Sequence, residues 1–344
     1  MRGDSRQHYR PSAFTLLELL VVISILSLLV SILLPAMGSA REQAKRIVCQ
    51  SNMRSINTSL LTYINEFDAY PVLFRVHQSN CNRVSWATWS FGGWTGRDFE
   101  TYCDAEGRGR HCYQTYERPL SAYMMEPQTI RPDDRGEDLV FGTADDRVTE
   151  MPVFRCPSDK ASSQWRWRGR NPSQIIRDLS AYEQVGSSYQ MNYYWFYQAL
   201  DRIDVQSGAC RRQKEWGEAF EIGRWLWRQA DEHGGAARFV TLVEDPFDWG
   251  IAQSLSQSAD AEADETFQHS VNGEQSLGFH GTWSRHMLAF MDGHVDYVLA
   301  DTRFQREAHW TVTNEGWLDT RRRENCTELL QDPVTYQDQG EPQR

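Results

Sequence analysis

Residues 14–37 form a long apolar segment that constrains this chain more than any other part of its sequence. The segment reads FTLLELLVVISILSLLVSILLPAM and carries one charged side chain, that of Glu18. As a helix rising 1.5 Å per residue it would be ~36 Å long, enough to cross a hydrocarbon core of ~30 Å. Because an acid at a bilayer centre costs roughly 2.5–3.5 kcal/mol on insertion scales, an acid in such a segment indicates a function.

The residues around this segment leave three interpretations. A cleaved secretory signal would have a shorter apolar core, followed by a small-residue cleavage site. A plain signal anchor would explain the length and the basic leader of residues 1–13, but not Glu18. The third interpretation is a prepilin-type signal, because FTLLELLVVISI resembles the cleavage and methylation motif of type IV pilins and type II secretion pseudopilins.

The prepilin resemblance implies a role for each of four residues. A membrane-embedded prepilin peptidase/methyltransferase would cut between Ala13, where the family usually has Gly, and Phe14, and would methylate the new N-terminus. Glu18 becomes the fifth mature residue, which the family keeps acidic, and Pro35 would kink the helix. In a filament, Glu18 would pair with the N-terminal ammonium of another subunit, so that neither charge is buried alone. The alternative is a glutamate that reaches the membrane interface.

Composition sets the class of protein and its location. About 300 residues lie outside the apolar segment, enough for one large or two small domains, and no second long apolar run follows. The basic leader predicts a cytoplasmic N-terminus and an exported remainder, hence a single-pass inner-membrane protein that reaches the cell surface after assembly. A net charge of −11 argues against nucleic acid as a partner.

The helical pattern continues beyond Pro35 and predicts one helix over residues 14–68, which Tyr70-Pro71 ends. Its predicted apolar stripe consists of Ala44, Ile47, Val48, Ile56, Leu60, Tyr63, Ile64 and Phe67. The predicted division of the chain is a leader (1–13), a transmembrane half-helix (14–37), an amphipathic half-helix (38–68), an exported head (69–326) and a polar tail (327–344).

Four segments resemble a large bacterial group of pilin-like proteins with a C-terminal His…Asp-Gly motif. They are SAREQAKRIVCQSNMRSINTSLLTYINEFDAYP, Phe154–Asp159, Ser188–Asn192, and the stretch from His280 to Val295. In that group a His usually stands nine residues before the Asp-Gly, whereas His280 stands twelve residues before Asp292, with eleven residues between them. The resemblance implies an α+β, pilin-like fold in which the long N-terminal helix packs on an antiparallel β-sheet head with large aromatic-rich insertions.

Residues 132–147 contain six acids and two glycines, a composition typical of calcium loops. The acids are Asp133, Asp134, Glu137, Asp138, Asp145 and Asp146. The spacing is not that of an EF-hand, and a solvated acidic loop is the alternative.

Histidines and acids recur near the C-terminus, at His280, His286, Asp292 and His294. A metal or catalytic site is one interpretation. The other is a structural hairpin, favoured because apolar runs flank Asp292-Gly293, a dipeptide typical of type I′ turns with positive φ at both central residues.

The cysteines and tryptophans leave further alternatives open. The seven cysteines are an odd number, and Cys81, Cys103 and Cys112 are the ones most expected to include a disulfide pair; the connectivity stays open. Trp86, Trp89 and Trp94 lie beside Gly92-Gly93 and predict either core packing or a face that binds polysaccharide or protein.

The predicted function is a pilin-like or pseudopilin subunit, minor or at the tip, of a type II secretion-like or type IV pilus-like assembly. Its partners would be the prepilin peptidase and other pilin-like subunits, with calcium as the one candidate cofactor and no enzymatic activity. The main alternative is a monomeric, membrane-anchored binding module that uses the signal only for export. A third hypothesis, a membrane-tethered hydrolase, would depend on His280.

Overall fold

A computed structural model gives the architecture of this chain in two compact units, residues 1–45 and 46–344. It describes residues 16–67, 71, 75–77, 83–85, 88–96, 113–126, 129, 131–134, 136–137, 145, 147–160, 180–193, 235–247, 250–251, 277–302 and 307–312.

The first element is a helix of 52 residues, α1, which spans Leu16–Phe67 and confirms the predicted long N-terminal helix. Pro35 lies inside it without ending it. The side chains of residues 16–41 are all exposed. Among the residues that the structure describes, α1 is the one helix long and apolar enough to cross a membrane.

The unit of residues 46–344 contains short helices and two antiparallel sheets. Its elements are β1 (Arg75–His77), β2 (Arg83–Ser85), α2 (Pro119–Met124), α3 (Ala181–Val185), β3 (Tyr189–Met191), β4 (Val240–Glu244), β5 (Arg285–Phe290) and β6 (Val295–Leu299). Strands β1 and β2 pair with each other, and β3, β4, β5 and β6 form a four-stranded sheet in chain order. The long helix and this antiparallel sheet give the α+β, pilin-like fold that the sequence predicts.

One face of the four-stranded sheet packs on the second half of α1. The helix buries Cys49, Met53, Ile56, Asn57 and Leu60, and the apolar members of this set share one core with strand residues such as Met191, Leu242, Met287 and Ala289. Because successive strand residues point to opposite faces, Leu288 and Phe290 lie in a second core on the other side, with Phe247, Ile251 and Trp310. Strands β3, β4 and most of β5 are therefore buried on both faces, whereas β6 is partly exposed.

The predicted stripe of α1 is partly wrong. Ile47 and Val48 are 66% and 45% exposed, whereas Cys49 and Met53, which the stripe omits, are fully buried. At about 100° per residue, Val48 points about 100° away from Cys49, and Ile47 about 200° away. The buried face is thus centred on Cys49, Met53, Ile56 and Leu60.

The aromatic-rich segment after β2 is a packed part of this unit. Trp89 and Trp94 are buried, which fits the core alternative for these tryptophans; Trp86 lies outside the described residues. The buried guanidinium of Arg118 donates hydrogen bonds to the carbonyls of Trp89, Gly92, Thr95, Tyr113 and Val185. Burial lowers the pKa of Arg118 to about 10, while the nearby Asp133 charge opposes that shift.

Candidate functional site

Glu18 is the one predicted processing residue within the described part of the chain. Ala13 and Phe14 are outside the described residues, and Glu18 lies in the first turn of the helix. A carboxylate is favourable there, because the unsatisfied N–H groups give a helix N-terminus a partial positive charge. Cleavage before Phe14, its methylation and a kink at Pro35 remain predictions.

A disulfide between Cys49 and Cys156 joins α1 to the loop that follows the 3₁₀ turn Pro152–Phe154. The two cysteines are 107 residues apart, and both are buried. The sequence left the pairing open and favoured a pair among Cys81, Cys103 and Cys112, all of which lie outside the described residues. A disulfide is thereby confirmed, at positions that the sequence did not single out.

His280 lies beside this disulfide. Its Nε2 is 3.9 Å from Cys156 Sγ, and the residue is 7% exposed. The His280 ring meets the Tyr297 ring edge-on at 5.6 Å, and the guanidinium of Arg46 lies 4.9 Å from the same tyrosine ring. Within the described part of the chain, Cys49, Cys156 and His280 are the only three ligating side chains grouped closely enough to hold one metal ion.

Asp159 anchors the loop of residues 155–160, which also carries Cys156. Its carboxylate accepts hydrogen bonds from Ser188 Oγ (2.6 Å) and from the backbone N–H groups of Ala181 and Tyr182 (3.0 Å each), at the start of α3. Ser188 Oγ in turn accepts from the backbone N–H of Cys156. Burial raises the pKa of Asp159 to about 7, against the opposing effect of these hydrogen bonds.

Polar side chains of α1 form hydrogen bonds with two of the other segments that resemble the bacterial group, and with β4. Their hydrogen bonds run from Gln50 Nε2 to Val295 O (2.6 Å), Asn52 Nδ2 to Arg155 O (2.9 Å), Asn57 Nδ2 to Phe290 O (2.8 Å) and Thr241 Oγ1 to Asn57 Oδ1 (2.7 Å). The resemblance identified these segments singly, and no local pattern in the sequence indicated that they meet.

The predicted hairpin at Asp292-Gly293 is present, but its predicted turn type is wrong. Gly293 has φ +94°, and Asp292 does not have a positive φ. Gly293 N donates to Phe290 O and Phe290 N donates to His294 O, which closes a three-residue loop with Gly in the left-handed position. A type I′ turn belongs to a two-residue loop, and this loop has one residue more.

His286 and His294 lie in environments that differ from each other and from that of His280. His294 is exposed, contacts Asp292 and stacks on the Phe290 ring. His286 is fully buried, and its Nδ1 is 2.7 Å from Oε1 of Glu244. The described residues provide no hydrogen-bond partner for Glu244 Oε2. Glu244 was missed by the sequence analysis, since a lone acid at a strand end carries no signal. These histidines and Asp292 therefore do not assemble into one site.

The acidic loop is described in part. Both oxygens of Asp133 accept hydrogen bonds, from Thr95, Thr115 and the backbone N–H of Thr149. Two other acids accept hydrogen bonds from the loop backbone, Asp134 from Gly136 N and Asp145 from Glu137 N. Asp138 and Asp146 lie outside the described residues. Calcium binding stays a prediction, which protease resistance with and without a chelator would test.

Comparisons with known proteins identify two family models in this chain. The first, a prokaryotic N-terminal methylation motif, matches residues 10–34. The second, described as a protein of unknown function (DUF1559), matches residues 38–219, more than half of the chain. No curated protein and no solved structure matches it.

The first match and the apolar half of α1 make this a prepilin-signal protein of the pilin or pseudopilin type with an N-terminal membrane anchor. Both matched families are typically structural rather than enzymatic. From the extent of the second match, the chain belongs to the DUF1559 family.

Proposed function

We propose that this protein is a minor or tip subunit of a type II secretion-like or type IV pilus-like assembly. The observation that carries the proposal is the methylation motif at residues 10–34, which leads into a helix of 52 residues with an exposed apolar half. In this proposal the prepilin peptidase removes residues 1–13 and methylates Phe14, and other pilin-like subunits are the partners.

The exposed apolar surface of α1 supports assembly, because such a surface must be shielded from water. Large apolar side chains between Leu16 and Met37 are 46–82% exposed. Lipid covers such a surface before assembly, and the helices of other subunits cover it in a filament. One helix surface thus serves both the membrane and the assembled state. The three arginines of the leader would keep its N-terminus in the cytoplasm.

Glu18 would fix the axial position of one subunit's helix relative to that of its neighbour. Cleavage would leave an α-amino group on Phe14, four residues before Glu18. Among apolar helices, an unpaired carboxylate and an unpaired ammonium are both costly, so subunits pack best where the two groups meet.

The size of the head favours a minor or tip position. The second compact unit begins at Arg46 and includes all of the remaining 299 residues. Regular helical packing of a major subunit repeats at short axial intervals, and a head of this size would crowd it. At a tip, or at rare positions, the same head has free space.

Mass spectrometry of the mature N-terminus tests processing. The proposal expects a chain that begins with N-methylated Phe14. An intact Met1 on the membrane-inserted protein would contradict the proposal and leave a plain anchor.

Crosslinking of sheared surface material and of membranes tests assembly. The intact protein should be recovered in multimers with pilin-like partners, and Glu18→Ala should reduce that recovery at least about tenfold while cleavage at Ala13 continues. Glu42→Ala is the matched control, since it removes an acid from the same helix outside the apolar segment, where Glu42 pairs with Lys45 (3.3 Å). A processed protein that stays monomeric would favour the membrane-anchored binding module.

A further inference from the structure

We propose that Cys49, Cys156 and His280 form a binding site for a thiophilic divalent cation of the zinc class, available while the two cysteines are reduced. The three residues come from α1, from the loop after Phe154 and from the segment before β5. The site therefore exists only once this unit has folded.

The spacing of the three side chains fits such an ion. Their ligating atoms all lie within 4.8 Å of one another, and His280 Nε2 is 3.9 Å from Cys156 Sγ. Around tetrahedral zinc, bonds of ~2.3 Å to sulfur and ~2.0–2.1 Å to nitrogen place the ligand atoms roughly 3.5–3.8 Å apart. Reduction breaks the bond between the sulfurs and lets them separate to that spacing, with a small shift of two side chains.

The donor set and the burial select the class of ion. Two thiolates and a neutral imidazole suit zinc and similar borderline-soft cations, whereas calcium and magnesium prefer oxygen. Cys49, Cys156 and His280 are 0%, 1% and 7% exposed. Two thiolates without a counter-charge would be costly at such depth, and a divalent cation neutralises both. Three protein ligands leave the fourth position for water.

Neighbouring contacts hold the ligands in place. The edge-on contact with Tyr297 keeps the His280 ring turned toward the sulfur, and Arg46 and Arg285 lie over the Tyr297 ring. The backbone N–H of Cys156 is bonded to Ser188 Oγ, which fixes the loop that carries this ligand. Outer contacts of this kind orient metal ligands and raise affinity.

Metal binding and the disulfide are alternative states of the same cysteines. Binding the ion releases the protons of the two thiols. Closing the disulfide instead transfers two electrons from the sulfurs to a disulfide oxidant, which takes up two protons and becomes a dithiol. The resulting disulfide sulfurs are poor ligands, so oxidation expels the ion, and a bound ion protects the thiols from oxidation.

Metal titration of the full chain in detergent tests this proposal. The parent protein carries serine at Cys81, Cys103, Cys112, Cys210 and Cys326, so that only Cys49 and Cys156 remain, and a phosphine keeps them reduced. Co²⁺ is added without oxygen, thiolate-to-metal absorption is recorded, and Zn²⁺ is then used to displace it. The expected result is one ion per chain, lost in Cys156→Ser and bound at least about tenfold more weakly in His280→Ala.

Three further proteins decide the interpretation. His294→Ala is the matched control and should bind as the parent does, because His294 lies in the exposed turn. His280→Phe keeps a ring against Tyr297 without a ligand and should bind as weakly as His280→Ala, and His280→Cys should restore binding. His294→Ala, His280→Ala and His280→Phe must still close the Cys49–Cys156 disulfide on oxidation, shown by mass, so that weaker binding is not caused by misplaced cysteines. The proposal is overturned if the reduced parent binds no tighter than Cys156→Ser, or if both His280→Ala and His280→Phe bind as the parent does.

Discussion

Asn57 and Asp159 join segments of the chain that are far apart in sequence. Asn57 is fully buried on α1 and is bonded to β4 and β5, through Thr241 and Phe290. Asp159 binds the first amides of α3 and the hydroxyl of Ser188. Buried polar groups need partners, so these bonds fix which surfaces meet. Neither residue type indicates its distant partner in advance.

Replacing Asn57 with alanine should lower the free energy of unfolding by about 2–4 kcal/mol. The change removes one of two hydrogen bonds to the Phe290 carbonyl, which keeps the bond from Gly293 N–H, and it removes the acceptor that Asn57 Oδ1 offers to Thr241. It also opens a small cavity. Urea denaturation of the detergent-solubilised chain, followed by tryptophan fluorescence, measures the loss. Thr58→Ala is the control, since the exposed Thr58 hydroxyl bonds to the Arg54 carbonyl of the same helix, and it should cost less than about 1 kcal/mol. Equal losses in the two variants would contradict the prediction.

Asp159 should make stability fall as pH rises toward neutrality. Its pKa is about 7 in the folded chain and ~3.9 when unfolded, so between those values the folded state holds a proton that the unfolded state has released. The free energy of unfolding should therefore drop by up to about 1.4 kcal/mol per pH unit from pH 4 to 7, with no further change above. Asp159→Asn lacks this titration, so its curve should be flatter. Parallel curves for the two proteins from pH 5 to 7 would show that Asp159 is already ionised.

Local sequence patterns predict the helices and strands of this chain better than they predict the contacts between them. The length of α1 and the hairpin from β5 to β6 both come from short-range signals: a continuous helical pattern, and apolar runs around Asp292-Gly293. The turn type was wrong because loop length depends on the strand register, which packing decides. The stripe on α1 was partly wrong for a related reason, since the sheet selects which apolar side chains it covers.

The loss of stability on substitution of Gly293 should depend on how well the new residue tolerates the left-handed conformation, and not on the size of its side chain. A Cβ at this position would meet only Leu61 Cδ1, at 4.0 Å, so space is open. Asn adopts positive φ readily and Val does not. We expect Gly293→Asn to lower the unfolding free energy by less than about 1 kcal/mol and Gly293→Val by about 2 kcal/mol. Urea denaturation measures both, and a larger loss for Asn than for Val would contradict this explanation.

At the scale of the whole molecule, one disulfide closes a long loop. Cys49 and Cys156 are 107 residues apart and connect α1 with the loop that Asp159 anchors. Linking distant residues lowers the entropy of the unfolded chain, and the effect grows slowly with loop length.

Removing this disulfide should lower the unfolding free energy of the unit 46–344 by about 2–5 kcal/mol. The double variant Cys49→Ala/Cys156→Ala and the oxidised wild type are compared by urea denaturation in detergent, with a chelator present so that no metal contributes. A difference below about 0.5 kcal/mol would contradict the prediction. Wild type treated with a phosphine should lose a similar amount, which separates the bond from the side chains.

The contacts within the candidate site could not be predicted from the sequence. The resemblance identified the segments that contain Cys49, Cys156, Ser188 and His280, but it grouped His280 with Asp292 and His294. In the structure His280 lies beside the Cys49–Cys156 disulfide, and the other two residues form an exposed turn. Contacts across 107 and 124 residues leave no trace in spacing, since they depend on how the helix docks on the sheet.

The sequence by itself determined the membrane-length apolar segment, the acid at Glu18, the continuous helix and the hairpin, because length, hydropathy and turn chemistry act over a few residues. Only the tertiary structure decided which face of α1 is buried, which cysteines pair, and that His280 lies beside the disulfide of the loop that Asp159 anchors. These outcomes depend on packing and hydrogen-bond satisfaction among distant segments, and such interactions have no local pattern in the chain.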